Sequence, residues 1–326
     1  MDARSLFFSF LRFFTFNFSL FRPAANELLI LVFHQVNDED RPIYKATPIN
    51  VFEGICHYMK KHAHLISFSD LRNGKLSRSK MNVLLTFDDG HYDIIENAMP
   101  IAEKLGVKFN VNIDTEVLET GLPQDNIRVY DILNSTKESE YFNPKYTKKP
   151  IAIQKNAKTE LAFSAILKTL KRSERRDFSN DIAKQLGKPN LGYSKMCSAE
   201  DILDLDRKGI EIGSHTHSHP MLVNETKAVI NEEFQLSKKI LEDILQKEVD
   251  VLAYPNGMFT ETVDQLAVNS GYKIILKTEG QANVVSTKFP QTLNRVNIYQ
   301  QSTNEALAHA FGFIQRLRKT LSAKSN

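Results

Sequence analysis

Two continuous apolar runs constrain the fold of this chain more than any other feature. LLILVFH covers residues 28–34 and NVLLTF covers residues 82–87. Neither run alternates polar and apolar residues, which is typical of strands buried on both faces of a helix-covered parallel sheet. Helical patterns separate these runs from later strand-like segments, which lie at 107–113, 210–214, 249–255, 272–277 and 293–299. The alternation predicts an α/β protein with a distorted, mostly parallel (β/α) barrel of about seven strands.

Residues 120–195 interrupt this alternation. They are rich in Lys, Asn, Ser and Pro, and they carry one good helical pattern, at 158–187. We interpret them as a helical insertion that forms a lid or a flank on the substrate side. A chain of 326 residues has room for a single barrel with such an insertion.

Composition and charge argue against several classes of function. The net charge is only +3 and no basic run carries interleaved aromatic residues, so we expect no nucleic-acid partner. The two cysteines, Cys56 and Cys197, are far apart and form no CxxC motif. Neither a disulfide framework nor a thiolate zinc site is therefore indicated. We expect both cysteines to be small, buried apolar side chains.

The N-terminal segment, residues 1–26, has a composition of its own. Residues 6–21 read LFFSFLRFFTFNFSLF, with eight phenylalanines and one charged residue, Arg12. A membrane span needs about 20 apolar residues, and a charge at its centre is costly. Polar residues recur every three or four positions across residues 5–22, which predicts a polar stripe along a helix. This pattern favours a helix lying on a membrane surface, with a signal peptide or a helix packed on the protein itself as alternatives.

Polar groups follow four of the predicted strands at the point where each strand ends. They are His34, Asp88 with Asp89, the histidines of segment 215–219, and the segment 254–257. In a parallel α/β barrel the carboxyl ends of the strands form one rim, where catalytic residues lie. We therefore expect these groups to converge.

The segment GSHTHSHP at 213–220 places histidines at every second position. On a strand, His215, His217 and His219 would share a face, whereas on a helical turn only His215 and His219 would meet. A catalytic zinc ion takes nitrogen and carboxylate ligands and keeps one position open for water. His215, His219 and one of the two adjacent aspartates would supply such a set. The two aspartates would divide the work, because neighbouring side chains leave the backbone in different directions.

Two motifs resemble those of a known family. TFDDG at 86–90 and HTHSH at 215–219 resemble the first two motifs of the polysaccharide deacetylases, carbohydrate esterase family 4. The resemblance continues at LAYPNG (252–257) and LNRV (293–296). It spans residues 28 to about 300 outside the insertion, and the two motifs at this separation are highly specific as a pair. It implies one catalytic domain, residues 27–326.

The resemblance assigns roles residue by residue. Asp88 matches the catalytic base, Asp89 the metal-binding aspartate, and His215 and His219 the two histidine ligands. His217 falls at a variable position of the motif. The implied cofactor is Zn²⁺ or another divalent transition metal.

Two departures from the family pattern direct the remaining assignments. Ala253 stands where the third motif usually has an arginine, and the late leucine–histidine motif that supplies the general acid has no match. A branch of the family active on poly-N-acetylglucosamine has its acid histidine early, in a segment resembling LVFHQVND. On this likeness we predict that His34 is the general acid. Arg295, on a strand like the branch's LPRI segment, is predicted to orient Asp88.

The resemblance implies a metal-dependent hydrolase that removes N-acetyl groups from a polysaccharide, oligosaccharide or glycolipid. Metal-activated water would attack the amide, with Asp88 as base and His34 as acid. The backbone N–H of Asn256 matches the oxyanion donor. Tyr254 is a candidate for stacking on a sugar, with core packing as the alternative. A metal-dependent hydrolase of a non-sugar amide or cyclic ureide, and an inactive carbohydrate-binding protein, are the alternative functions.

The expected partners and location follow from these features together. An acetylated glycan or a lipid-linked sugar is the expected partner, with a membrane surface contacted through residues 5–22. Because the segment lacks the uninterrupted apolar stretch of a signal peptide, we favour the cytoplasmic face of a bacterial membrane over export.

Overall fold

The computed structural model describes residues 27–138, 140–143, 145, 150–189, 191–284 and 288–312. The predicted membrane-surface segment, residues 1–26, lies outside the described residues. Among those that are described, no helix is long and apolar enough to cross a membrane.

Strands and helices alternate along most of the chain. The strands are β1 (Glu27–Phe33), β2 (His64–Leu65), β3 (Asn82–Phe87), β4 (Asn110–Ile113), β5 (Tyr141–Phe142), β6 (Ile151–Ala152), β7 (Glu211–Ser214), β8 (Val251–Ala253), β9 (Ile274–Lys277), β10 (Asn283–Val284), β11 (Gln291–Asn294) and β12 (Val296–Asn297). The α-helices are α1 (Ile49–His62), α2 (Phe68–Arg72), α3 (Met99–Leu105), α4 (Thr115–Thr120), α5 (Asp125–Ser135), α6 (Ala157–Leu167), α7 (Arg172–Gln185), α8 (Ala199–Arg207), α9 (Lys227–Leu245), α10 (Glu261–Asn269) and α11 (Thr303–Ala310).

The main sheet curves into a nearly closed barrel. Its strand order is β10-β1-β3-β4-β7-β8-β9-β11. The neighbours from β1 to β11 are all parallel, and β10 pairs antiparallel with β1. Only Arg295 separates β11 from β12, and β12 pairs in parallel with β1, which brings the last strand back to the first. The pairing of β7 with β8 is reduced to Ser214 and Leu252, so the barrel is distorted there. The predicted distorted barrel of about seven strands is confirmed.

The strands and helices form where the sequence patterns place them. Every residue of β3 is buried, as are six of the seven residues of β1, which explains their unbroken apolar character. Helix α8 begins at a capping box, in which the Ser198 side chain accepts from the Asp201 N–H and the Asp201 carboxylate accepts from the Ser198 N–H. Cys56 and Cys197 are buried as expected, and burial raises the pKa of each thiol to about 12.

The insertion has a hydrophobic core of its own. Phe142, Phe163 and Phe178 meet at its centre, with ring centroids 5.5–6.2 Å apart. The predicted single helix at 158–187 is two helices, α6 and α7. No glycine or proline marks the break, but Leu167 and Leu170 on either side of it are both buried in this core. Burial of both leucines therefore accompanies a break between two helices that the periodicity alone did not reveal.

Candidate active site

A cavity of about 870 Å³ opens at the carboxyl ends of the barrel strands. The barrel supplies one wall, and α5, α6 and α7 of the insertion supply the opposite wall. All eight predicted site residues line this cavity: His34, Asp88, Asp89, His215, His219, Tyr254, Asn256 and Arg295. Residues of the insertion therefore lie beside the predicted site.

Three of these residues converge on one point. The ligand atoms of Asp89, His215 and His219 all lie within 4.8 Å of one another. Asp89 Oδ1 is 3.5 Å from His215 Nε2 and 3.6 Å from His219 Nε2. This buried oxygen has no hydrogen-bond partner among the described residues. Two imidazole nitrogens and one unsatisfied carboxylate oxygen are a fitting ligand set for zinc or a similar divalent metal.

The backbone of this group is held in an uncommon conformation. Asp89, Thr216 and His219 have φ of 74°, 74° and 53°, in the left-handed region that few non-glycine residues adopt. Such residues cluster at functional sites, where the surrounding structure compensates for the strain.

The orientation of the histidines answers the question raised by their spacing. His215 Nδ1 lies 2.8 Å from the Ala253 carbonyl oxygen, so Nε2 is left to face Asp89. His217 Nδ1 instead bonds the Thr115 hydroxyl at 2.9 Å, and His217 does not belong to the converging group. Burial lowers the pKa of His219 to about 3, so its imidazole is neutral at physiological pH and able to bind a metal.

A buried carboxylate supports the loop that carries these histidines. Glu233 of α9 is fully buried and accepts from the backbone N–H groups of His217 at 2.9 Å and Ser218 at 2.8 Å. It also accepts from the Ser218 hydroxyl at 2.6 Å and from Arg172 of α7 at 2.9 Å. Sequence reasoning missed Glu233. The available signal was a lone carboxylate between Ile230 and Phe234 on the apolar face of α9.

The insertion also contacts the loop directly. Arg175 of α7 donates from Nη1 to the His219 carbonyl oxygen at 2.5 Å and from Nη2 to Asn126 Oδ1 at 3.3 Å. The backbone of His219 is therefore supported from the insertion as well as from the barrel.

The second aspartate has different partners from the first. Arg295 donates from Nη1 to Asp88 Oδ1 and from Nη2 to Asp88 Oδ2, both at 2.7 Å, and Asn112 donates to Oδ1 at 2.8 Å. Burial alone would raise the pKa of Asp88, but the charges of Arg295 and His215 hold it at about 2. Asp88 is thus a carboxylate at neutral pH, fixed by a bidentate ion pair.

His34 lies half-buried in the same cavity. Burial lowers its pKa, while the charges of Asp89 and Asp88 oppose that shift. A lower pKa makes the protonated imidazole a stronger acid and leaves a smaller fraction of it protonated at neutral pH.

Two further side chains surround Asp89 that were not assigned from the sequence. The Tyr44 hydroxyl donates to Asp89 Oδ2 at 3.3 Å, and the ring of Tyr44 stacks on Tyr130 of the insertion at 5.0 Å. His91 Nε2 lies 3.8 Å from the same oxygen, and its Nδ1 lies 3.1 Å from Gln35 Nε2. The position of His91 directly after TFDDG was a usable signal, whereas Tyr44 lies in no recognisable motif.

Tyr254 and Asn256 occupy the barrel wall in different ways. The ring of Tyr254 is fully buried between Phe234 and Phe259, and its hydroxyl donates to Asp264 at 2.7 Å. This ring packs in the core and is not available to stack on a sugar, so the core-packing alternative is correct. Asn256 has a φ of 55° in the turn after β8 and lines the cavity.

Part of the chain is similar in sequence to the polysaccharide deacetylase family. Residues 144–275 match the family described as polysaccharide deacetylase. Over 90 residues, 28% of this chain, the sequence is 28% identical to YxkH of Bacillus subtilis (strain 168), whose description as a polysaccharide deacetylase is itself provisional. The match spans 32% of the length of that curated relative.

Similarity to solved structures extends over most of the chain. The Streptococcus pyogenes deacetylase PplD in complex with acetate has a TM-score of 0.58 and covers 87% of this chain and 96% of its own. IcaB from Ammonifex degensii has a TM-score of 0.58, with 89% and 99% covered. BC0361, a polysaccharide deacetylase from Bacillus cereus, has a TM-score of 0.56, with 87% and 69% covered. Each is 18% identical to this chain, so these likenesses show a common fold.

The TFDDG motif lies outside the region of the family match, and the fold brings it to the HTHSH loop at one rim of the barrel. Residues 144–275 thus match the polysaccharide deacetylase family, and the fold places the two motifs that resemble those of this family together at the rim of the barrel.

Proposed function

We propose that this protein is a metal-dependent hydrolase that removes N-acetyl groups from an acetylated glycan. One observation carries the proposal: Asp89, His215 and His219 converge on one point beside the Asp88–Arg295 pair, in a cavity large enough for a sugar. The deacetylase family and fold support this activity, and the side chains present suit each part of the reaction.

Asp89, His215 and His219 would hold the metal. When bound there, a divalent ion such as zinc would supply Lewis acidity, which activates water and polarises the acetyl carbonyl. The Ala253 carbonyl keeps His215 in the required orientation. The Tyr44 hydroxyl orients Asp89 in the same way, through Oδ2, the oxygen that does not face His215 and His219.

Asp88 acts as the base in this proposal. Its carboxylate accepts a proton from the attacking water, and Arg295 and Asn112 fix its orientation. A base with a pKa of about 2 is weak, so its contribution depends on being held at the reacting atoms rather than on proton affinity.

His34 donates a proton to the departing nitrogen, because an amide nitrogen anion is too poor a leaving group. The amide C–N bond breaks, and acetate and the sugar amine leave. The backbone N–H of Asn256 is proposed to bind the developing oxyanion from the barrel wall.

The test combines metal content with acetate release from N-acetylglucosamine oligomers. We expect near one equivalent of zinc in the wild type, loss of zinc and activity in Asp89→Ala and His215→Ala, and retention of both in the matched control His217→Ala. Bound zinc without acetate release would redirect the search to non-sugar amides or cyclic ureides. Absence of stoichiometric metal after reconstitution would overturn the mechanism and favour a binding protein.

We also propose that residues 5–22 hold the enzyme on a membrane surface, at the cytoplasmic face. The support is the spacing of polar residues in a phenylalanine-rich sequence, which predicts a polar stripe along a helix. Flotation with anionic vesicles tests this: the full chain should float, and a chain lacking residues 1–26 should stay at the bottom of the gradient. Equal behaviour of the two proteins would contradict the proposal.

A further inference from the structure

The wall of the cavity around the reactive residues is basic. Besides Arg295, which is paired with Asp88, four cationic side chains line it: Lys45, Lys155, Lys168 and Arg175. The three lysine ammonium groups make no ion pair or hydrogen bond with any described residue. Outside the reactive group, Glu160 is the one carboxylate among the described lining residues, and it accepts from the Tyr44 backbone N–H at 3.1 Å. The cavity therefore presents an excess of positive charge.

Arg175 is the most unusual of these cations. It is only 3% exposed, yet within the described ranges no carboxylate lies at ion-pair distance from it. Its two Nη atoms are occupied by the His219 carbonyl and Asn126, and its Nε–H has no partner among the described residues. A buried, unpaired guanidinium at a cavity wall is what an anion-binding site provides.

These charges discriminate between kinds of glycan. Removal of an acetyl group leaves an ammonium on the sugar, so a partly deacetylated glucosamine polymer is itself cationic and would be repelled by this wall. An anionic sugar would be attracted. Phosphate suits the side chains present, because the Nε–H of Arg175 has no partner among the described residues and can donate to a phosphate oxygen, and lysine acts as a mobile point charge.

We propose that the cavity takes an N-acetylated sugar that carries a phosphate group, a glycosyl phosphate, with the phosphate bound by Arg175 and the three lysines. This inference rests on the proposed deacetylase function and names the substrate class of the same site. A nucleotide sugar and a lipid-linked sugar diphosphate share this chemistry. A volume of about 870 Å³ leaves room for a sugar with a charged substituent.

The experiment compares a charged substrate with its neutral twin. Acetate release by the zinc-loaded full chain is measured with N-acetylglucosamine 1-phosphate and with N-acetylglucosamine. The wild type should prefer the phosphate through a lower KM, and added salt should weaken the preference. In the double variant Lys155→Gln/Lys168→Gln, the ratio of kcat/KM for the phosphate sugar to kcat/KM for the neutral sugar should fall roughly fivefold to tenfold. This is the effect expected when the free energies of two partly exposed ion pairs to the phosphate are lost together. Lys158→Gln is the matched control, because Lys158 is an exposed lysine of α6 that does not line the cavity.

Arg175 is tested separately because it contacts His219. Arg175→Gln should raise the KM for the phosphate more than that for the neutral sugar, with zinc content measured in the same preparation. Two further substrates then distinguish the two sources of the phosphate. Acetate release is compared for a nucleotide sugar, uridine diphosphate N-acetylglucosamine, and for a lipid-linked sugar, polyprenyl diphosphate N-acetylglucosamine in detergent.

Two outcomes separate this inference from the proposed function. Equal kcat/KM values on the charged and neutral sugars would overturn the phosphate proposal and leave the deacetylase function standing. If zinc is bound but neither sugar releases acetate, the deacetylase function fails. Calorimetric binding of N-acetylglucosamine 1-phosphate then tests the phosphate site by itself. Affinity that is lower in the double variant supports the phosphate site, since neither lysine is a metal ligand, whereas unchanged affinity would refute it.

Discussion

The two walls of the cavity are built on different principles. The barrel wall carries the proposed reactive groups at strand ends, where Asp88 and Asp89 follow β3 and His215 follows β7. The insertion wall has its own phenylalanine core. It contributes the arginines of α7, which support the HTHSH loop, and three of the four cavity cations, Lys155, Lys168 and Arg175. The strand ends therefore position the proposed reactive atoms. The less regular insertion supports the loop that carries two of the histidines and supplies most of the positive charge around the site.

The largest effect is expected on the barrel wall, at Asp88. Asp88→Asn removes the proton acceptor but preserves the shape of the side chain, so activity should fall by roughly 10²–10⁴-fold. Zinc content should not change, because Asp88 is not in the converging group. Acetate release and metal analysis on the same preparation check both statements. Near-normal activity in this variant would mean that another group is the base.

A variant of Arg295 tests whether the orientation of Asp88 matters as much as its ability to accept a proton. Arg295→Met leaves Asp88 buried without its ion-pair partner, which should cost about 3–5 kcal/mol of stability. Activity should fall by roughly 10²-fold, because the carboxylate is no longer held in place. Thermal unfolding and kcat measure the two effects, with Arg295→Lys as the variant that keeps the charge and loses the fork. A stability loss without any loss of kcat would limit Arg295 to a structural role.

Glu233 links the two walls, because it bonds the loop on one side and Arg172 of the insertion on the other. Glu233→Gln cannot accept from all these donors at once, so zinc affinity should fall roughly 10–100-fold. Chelator competition measures this without reference to activity. The control is Glu232→Gln, which changes the exposed neighbour of Glu233 on the same helix. An equal loss in the control would show a general charge effect rather than loop support.

The part of the molecule that was predictable from sequence is the part with simple periodicity. LLILVF and NVLLTF predicted buried parallel strands, and their ends located His34, Asp88 and Asp89. The support of the loop was not predictable, because Glu233 and Arg175 bond to residues that are distant in the sequence. Both also belong to helices whose sequence patterns are otherwise ordinary. The break between α6 and α7 was missed for a related reason: tertiary burial of Leu170, not a local breaker residue, accompanies it.

The smallest effect is expected from the insertion side, at Arg172. Its side chain is 35% exposed, so solvent screens its ion pair with Glu233, and Glu233 keeps three hydrogen bonds to the loop without it. Arg172→Met should therefore weaken zinc binding only about twofold to fivefold, measured by the same chelator competition. A loss as large as that in Glu233→Gln would mean that the insertion, rather than the barrel, determines the position of the metal ligands. The two walls would then no longer divide into one that places reactive atoms and one that supports them.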